Sequence, residues 1–114
     1  MTKLRVLVFG GRDYTDAATI DAALSLLDVG CIIHGGARGA DTLAGEWGKR
    51  KGLPVLRVDA PWDFYGNRAG RVRNQWMFDW AMPTYAVGFP GGTGTRDMAE
   101  RCAAAGLPLW RPVP

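Results

Sequence analysis

The sequence predicts an α/β fold: one small domain over residues 1–114, built on a doubly wound parallel sheet of about five strands with flanking helices. Two observations predict it. Short apolar runs alternate along the chain with segments of helical periodicity, and glycine-rich turns follow three of those runs. Between them lies no low-complexity tract or linker-like stretch, so nothing divides the chain.

Leu4-Arg5-Val6-Leu7-Val8-Phe9 is mostly apolar and stops at Gly10-Gly11, the pattern of a strand covered on both faces. After Asp16, the residues Ile20, Ala23, Leu24 and Leu27 recur at the spacing of one helix face, with Thr15 or Asp16 placed to cap the start and Gly30 to end it. Residues 31–34 give a second strand that stops at Gly35-Gly36. Ala40 to Arg50 reads as a second helix with Leu43, Ala44 and Trp47 inward, closed by Gly52, and residues 54–58 as a third strand. Residues 60–70 follow neither period and read as a long ordered loop, a length at which loops tend to carry function. Val72 to Ala81 reads as a third helix with Val72, Trp76 and Trp80 on one side and Met77 and Ala81 beside them. Residues 85–89 form a fourth strand and Thr95 to Ala105 a fourth helix with Met98, Ala99, Cys102 and Ala103 inward. Residues 107–110 make a short fifth strand, and residues 111–114 are expected to fray. This succession is Rossmann-like.

With 47% hydrophobic and 22% charged residues, the composition is that of a globular domain and excludes a disordered tail. No apolar run reaches the roughly 18 residues of a membrane helix, and residues 1–5 lead straight into a strand pattern rather than a signal-peptide core. The expectation is a cytoplasmic protein with no membrane partner. Cys31 and Cys102 lie in apolar stretches without metal-ligand spacing and read as small buried hydrophobes, so no metal site and no cofactor is expected. The net charge of +3 conceals an excess of 11 arginines over 3 lysines. Arginine makes planar, bidentate contacts with phosphate, but a codon preference gives the same excess, so position decides.

Three glycine-rich turns follow predicted strands: Gly10-Gly11-Arg12-Asp13, Gly35-Gly36-Ala37-Arg38-Gly39-Ala40-Asp41 and Pro90-Gly91-Gly92-Thr93-Gly94-Thr95. In a parallel sheet all three open on one crevice, where glycine admits a ligand close to the backbone and the following helix start supplies free N–H donors. The expected ligand is phosphorylated. Arg12 and Arg38 sit within these turns and are expected to contact it. Trp62, Phe64 and Tyr65 serve either as a stacking wall for a base, with Asn67 and Asn74 reading its edge, or as a cover for the end of the sheet. Trp47, Trp76 and Trp80 read as core or as an oligomer face. His34, the sole histidine, reads as a packing residue.

Several chemistries are excluded. The chain has neither Gly-x-x-x-x-Gly-Lys-Ser/Thr nor a strand followed by Gly-x-Gly-x-x-Gly with an acidic residue beyond it. Ser25, its only serine, lies in a predicted helix, which excludes a serine nucleophile elbow.

The segment His34-Gly35-Gly36-Ala37-Arg38-Gly39-Ala40-Asp41, the pattern Trp62-x-x-Tyr65-Gly66-x-x-Ala69-Gly70-x-x-Arg73-Asn74-x-x-Met77, and Pro90-Gly91-Gly92-x-Gly94-Thr95 together resemble the YspA-type, YpsA-related branch of the SLOG superfamily. The resemblance implies a Rossmann-like fold that binds nucleotides or nucleotide-derived ligands. That superfamily includes the LOG phosphoribohydrolases and the DNA-processing protein DprA. Taken with the three glycine turns, the resemblance gives Gly10, Gly11, Arg12, Gly35, Gly36, Arg38, Arg73, Asn74, Gly91, Gly92, Thr93, Gly94 and Thr95 as the expected ligand-binding residues. Arg73 and Met77 match an Arg and a Met of the LOG enzymes, whereas the position of their catalytic Glu is Met98 here. Asp97 and Glu100 stand nearby but point about 100° and 200° away from position 98 around a helix. With Arg73 they are the candidates for any catalytic part. Cleavage of an N-glycosidic bond also needs an anion near the ribose. Asp13, Asp41, Asp63 and Asp97 lie near the rims, and Asp41 and Asp97 equally suit helix first turns as complements to the dipole.

The leading expectation is a protein that binds a nucleotide-derived ligand, such as an ADP-ribose-like molecule, as a sensor or processing protein. The alternatives are phosphoribohydrolysis of a nucleoside 5′-monophosphate and single-stranded DNA binding of the DprA type. Whether turnover occurs stays open at this stage. A nucleic-acid partner is disfavoured by the modest charge, and the tryptophans with the LOG resemblance imply a homo-oligomer.

Overall fold

The computed structural model describes residues 3–114. Its five parallel strands are β1 (Leu4–Phe9), β2 (Val29–His34), β3 (Val55–Arg57), β4 (Tyr85–Gly88) and β5 (Leu109–Trp110), in the order β3-β2-β1-β4-β5. The helices are α1 (Ala17–Leu24), α2 (Ala40–Arg50), α3 (Trp62–Tyr65), α4 (Ala69–Trp76) and α5 (Thr93–Ala105). A 3₁₀ turn at Gly66–Arg68 joins α3 to α4, and α4 runs on into a π-helical segment at Met77–Ala81.

Period-two alternation in the central strands divides the core. Val6, Val8, Ile32 and Val87 face α1 and α2, where Ile20, Leu24, Ala44 and Trp47 cover them. Leu7, Phe9, Cys31, Ile33 and Ala86 face the other way, onto Met77, Ala81, Met98, Ala99 and Cys102. Both faces of the sheet are therefore buried, as an all-parallel sheet requires, and the α/β Rossmann-like expectation holds. Among the described residues no helix is long and apolar enough to cross a membrane.

Some boundaries differ from the sequence reading. Helix α1 ends at Leu24, and Gly30 lies within β2, where the register with β1 shifts between Leu4 and Arg5. A Cβ at Gly30 would come within 2.9 Å of the Lys3 Cβ, so this glycine serves a bulge rather than a helix stop. Residues 62–68, read as a loop, are helical, and α4 begins at Ala69 rather than Val72. Helix α5 starts two residues before Thr95, and Ala103 on it is exposed rather than inward. Strands β3 and β5 are shorter than expected. Val113 packs against the core, which ties down the tail expected to fray. Of the tryptophans, Trp47 is buried, but Trp80 is 63% exposed and stacks on Trp76 with ring centroids 4.4 Å apart. Trp80 is thus not a core residue.

Candidate functional site

The chain passes from β3 back across the sheet to β4, so the strand order reverses at β1 and β4. Ligands of open parallel sheets bind outside the carboxyl ends of the strands at that reversal. A cleft of about 750 Å³ opens there. Gly10, Gly11 and Arg12 after β1 form one wall, the first turns of α5 a second, and Trp62, Asn67, Arg71, Arg73 and Asn74 a third, with Phe9 and Met98 at its base.

Packing separates the glycines of this region into two kinds. A Cβ at Gly10 would lie 2.7 Å from the Ala40 Cβ, and one at Gly11 would lie 2.8 Å from the Pro90 carbonyl oxygen. Gly39, at φ +85°, would press on the Gly11 carbonyl, and Gly91 on Thr95 Oγ1. These four are glycine because the turns lock against one another. Gly92 and Gly94 are different: a Cβ at either meets nothing within 4 Å, and neither has a positive φ. Both line the cleft, and at Gly94 neither a close neighbour nor a positive φ calls for glycine. Gly92 is also the N-cap of α5 and makes no side-chain cap bond, so the amides of Thr93, Gly94 and Thr95, all cleft-lining residues, have no intrahelical partners.

The arginines have a second distinguishing feature. Arg12, Arg71, Arg73 and Arg96 line the cleft, and none forms a salt bridge among the described residues. Of the carboxylates beside them, Asp41 and Asp97 are hydrogen-bonded within the protein, whereas Glu100 makes no such bond among the described residues. Asp97 accepts from Asn74 Nδ2 at 2.9 Å and from Arg101 Nε at 2.8 Å, which hold its carboxyl below the usual range against a larger opposing effect of burial. Arg73 is the most enclosed of the four. It donates from Nη1 to the Gly35 carbonyl and from Nε to Asn74 Oδ1 at 3.1 Å, both neutral acceptors. Burial lowers its pKa, with the charge of Asp41 opposing. A Cβ at Gly35 would overlap the Arg73 guanidinium, so Gly35 is the residue that makes room for it. Arg73 therefore bonds only neutral acceptors and has Asp41 and Asp59 as charges at longer range, which leaves it donor capacity for an anion.

Two buried titratable groups stand behind the turn between β2 and α2. Asp41 Oδ2 accepts from the amides of Gly35 at 3.0 Å and Ala37 at 3.4 Å. Burial raises this carboxyl from 3.8 to about 6, with Arg73 and the two amides opposing. Asp41 thus does more than complement the α2 dipole: it ties the turn together. His34 accepts from the Gly36 amide at Nδ1, 3.0 Å away, and packs against Gly45, where a Cβ would lie 2.7 Å from Nε2. Burial, aided by Arg57, lowers its imidazole from 6.5 to about 4.

These shifts act in opposite directions on stability. Asp41 contributes fully below about pH 3.8, and that contribution is lost as pH rises through about 6. His34 contributes above about 6.5 and loses that contribution as pH falls through about 4. Urea denaturation between pH 4 and 6 should therefore show a shallow profile for the wild type from this pair. His34→Asn, which keeps an acceptor for Gly36, should lose on the order of 2 kcal/mol as pH rises across that window; Asp41→Asn should lose a similar amount as pH falls.

The structure does not gather every expected site residue into one place. Gly10, Gly11, Arg12, Arg73, Asn74, Gly92, Thr93, Gly94 and Thr95 line the cleft, with Asp97 and Glu100. Gly35, Gly36 and Arg38 line an adjoining groove instead, and Arg38 is engaged with Asp13 at 3.2 Å. Gly91 lines a separate hollow with Pro90, Arg111 and Val113 rather than the cleft. Trp62 lines the cleft, whereas Phe64, 88% exposed, stands clear of it. Arg96 is a lining residue that the sequence reading did not single out. A cation in the first turn of a helix opposes the dipole, and that is the signal by which it could have been found.

The profile of the family described as YAcAr, the YspA, cpYpsA-related SLOG family, matches residues 4–65. The Gene 61 protein of Mycobacterium phage D29 is 34% identical over 117 residues, covering 92% of this chain and 93% of that protein. The chain belongs to the YspA, cpYpsA-related SLOG family. The X-ray structure of DNA processing protein A (DprA) from Streptococcus pneumoniae superposes with a TM-score of 0.73 at 16% identity, over 96% of this chain and 50% of that one. This SLOG chain thus spans half the length of that DprA chain, and the likeness is one of fold. The matched family residues hold the β1 and β2 turns, while Arg73 and the α5 wall lie beyond them.

Proposed function

We propose that this SLOG chain binds a nucleotide or nucleotide-derived ligand, with a phosphate held between Arg73 and the first turn of α5. The observation that carries this reading is the group of cleft-lining arginines without ion pairs beside a helix start without a cap, placed where the strand order reverses. An anion completes both features: it neutralises the guanidinium charge and accepts from the free amides. Trp62, 51% exposed on the cleft wall, offers a face for a base. The role is that of a sensing or processing protein in the cytoplasm. Trp80, 63% exposed and stacked on the half-buried Trp76, supports self-association of the chain.

The test is thermal unfolding of the pure protein against nucleoside mono-, di- and triphosphates, cyclic nucleotides, NAD and ADP-ribose. At a ligand concentration about 100 times Kd, linkage gives about 2.7 kcal/mol, which raises Tm by on the order of 10 °C in a domain this small. A selective rise for one class is expected; a flat panel contradicts the reading.

Asp41 favours a second reading, hydrolysis of the N-glycosidic bond of a nucleoside 5′-monophosphate. Met98 is buried and offers no carboxylate, but Asp41 lines the same cleft, with one carboxyl oxygen held by the amides of Gly35 and Ala37 and the other without a bond among the described residues. Release of free base and ribose 5-phosphate from a monophosphate panel, lost in Asp41→Asn, is the result this reading requires.

A further inference from the structure

Asn74 is one of three buried polar side chains among the described residues, only 4% exposed where α4 packs against α5. Both ends of its amide are committed. Oδ1 accepts from Arg73 Nε at 3.1 Å, while Nδ2 donates to Asp97 Oδ2 at 2.9 Å and, by a longer bond of 3.4 Å, to the Gly94 carbonyl. A guanidinium only donates and a carboxylate only accepts, so these neighbours dictate which way the amide points. Neither Nδ2 proton is left to offer to the edge of a base. Through Gly94 the same side chain ties Arg73 to the first turn of α5, so both halves of the proposed phosphate clamp share one strut.

The placement also separates two charges. The Arg73 guanidinium and the Asp97 carboxylate bond opposite ends of one neutral amide and form no salt bridge with each other. Asp97 is balanced instead by Arg101, whose Nε donates to Oδ2 at 2.8 Å and whose Nη1 donates to Gln75 Oε1 at 2.9 Å. A carboxylate at position 74 would itself neutralise Arg73, and an apolar side chain would strip both charged groups of a buried partner. An amide accepts on one side and donates on the other while adding no charge. We propose that Asn74 is the positioning residue of the clamp: it fixes Arg73 against the start of α5 and holds the Asp97 carboxylate off the guanidinium, leaving that charge for the ligand's phosphate. This rests on the phosphate reading above and gives Asn74 no contact with the ligand.

An exchange of the two side chains, Asn74→Asp together with Asp97→Asn in the full chain, tests it. The exchange keeps the net charge and the bonds joining Arg73, position 74, position 97 and Arg101, and moves only the carboxylate, from the far side of the amide to the guanidinium itself. The urea midpoint should stay close to that of Asp97→Asn alone. Titration with inorganic phosphate and with AMP should show the exchange variant binding both at least about tenfold more weakly than Asp97→Asn, by the same factor for each probe, since the effect acts on the phosphate. Equal binding by the two variants overturns the positioning role, as does a loss confined to AMP, which would mark Asn74 as a reader of the base. A measurement on the wild type decides the matter if the exchange variant does not fold. The Asn74 side-chain amide resonances should reach the same shifts at saturation with AMP, GMP and UMP; shifts that differ with the base overturn the proposal. If the wild type binds none of these probes, the phosphate reading itself fails, a result distinct from binding that is indifferent to the exchange.

Discussion

Replacing Arg73 with alanine is expected to abolish the nucleotide-induced rise in Tm and to weaken binding about 30-fold or more. Charge-assisted hydrogen bonds are worth about 1.5–3 kcal/mol each, and Nη2 of Arg73 is uncommitted within the protein while Nη1 and Nε hold the guanidinium in place. The side chain is thus positioned by two neutral acceptors and keeps donor capacity for a ligand. Arg73→Lys should recover little of the loss, because an ammonium group cannot reproduce the fork that engages Gly35 and Asn74 at once. The free protein should tolerate the change. Among the described residues Arg73 forms no salt bridge, burial disfavours its charge, and the Asp41 carboxyl that it supports at longer range keeps the amides of Gly35 and Ala37. An Arg73→Ala protein that binds every nucleotide as well as the wild type would remove the main support for the proposed site.

Gly94→Ala should move stability and binding in opposite directions. A methyl group at position 94 meets no protein atom within 4 Å, and the residue lies in the first turn of α5 without a positive φ. Alanine there should stabilise the free protein by about 0.5–1 kcal/mol, since it restricts the unfolded chain and favours the helix. The same methyl group lines the cleft beside the free amides, so nucleotide binding should weaken about tenfold or more. Denaturation in urea and titration of the same preparation read both effects. Loss of stability together with unchanged binding would show that Gly94 serves the fold. Gly11→Ala is the contrasting case. Its Cβ would lie 2.8 Å from the Pro90 carbonyl oxygen, and it should destabilise the protein before any ligand is added.

The sequence was most legible where punctuation and burial agree. Helix α2 runs from Ala40 to Arg50 as its spacing predicts, because Gly39 at φ +85° and Gly52 at φ +71° bracket it and Ala44 and Trp47 carry its buried face. Residues 62–68 were not legible for the converse reason. None of them is buried, so their helical turns leave no apolar period, and local bonds with the edge-on contact of Tyr65 and Trp76 hold them instead. Gly30 misled because a glycine at a β-bulge and a glycine after a helix look alike in a single chain. At the site, the glycine turns announced the crevice, but their division into locking and ligand-facing kinds depends on neighbours far away in sequence. Gly35 and Arg73 are 38 residues apart, and only the fold shows that one exists to seat the other. Asp41 was legible as a helix-start carboxylate; its two amide donors come from the preceding turn, whose shape the chain alone does not reveal.

The central claim is that a phosphate group sits at the start of α5 against Arg73. Its most direct test is a titration of isotope-labelled protein followed by amide and guanidinium chemical shifts, using AMP, ADP-ribose and inorganic phosphate. The largest changes are expected at the amides of Thr93, Gly94 and Thr95 and at the Arg73 side chain, shared by all three titrants because all carry the phosphate. Changes confined to other surfaces, with the α5 amides and Arg73 unmoved at saturation, would contradict the account.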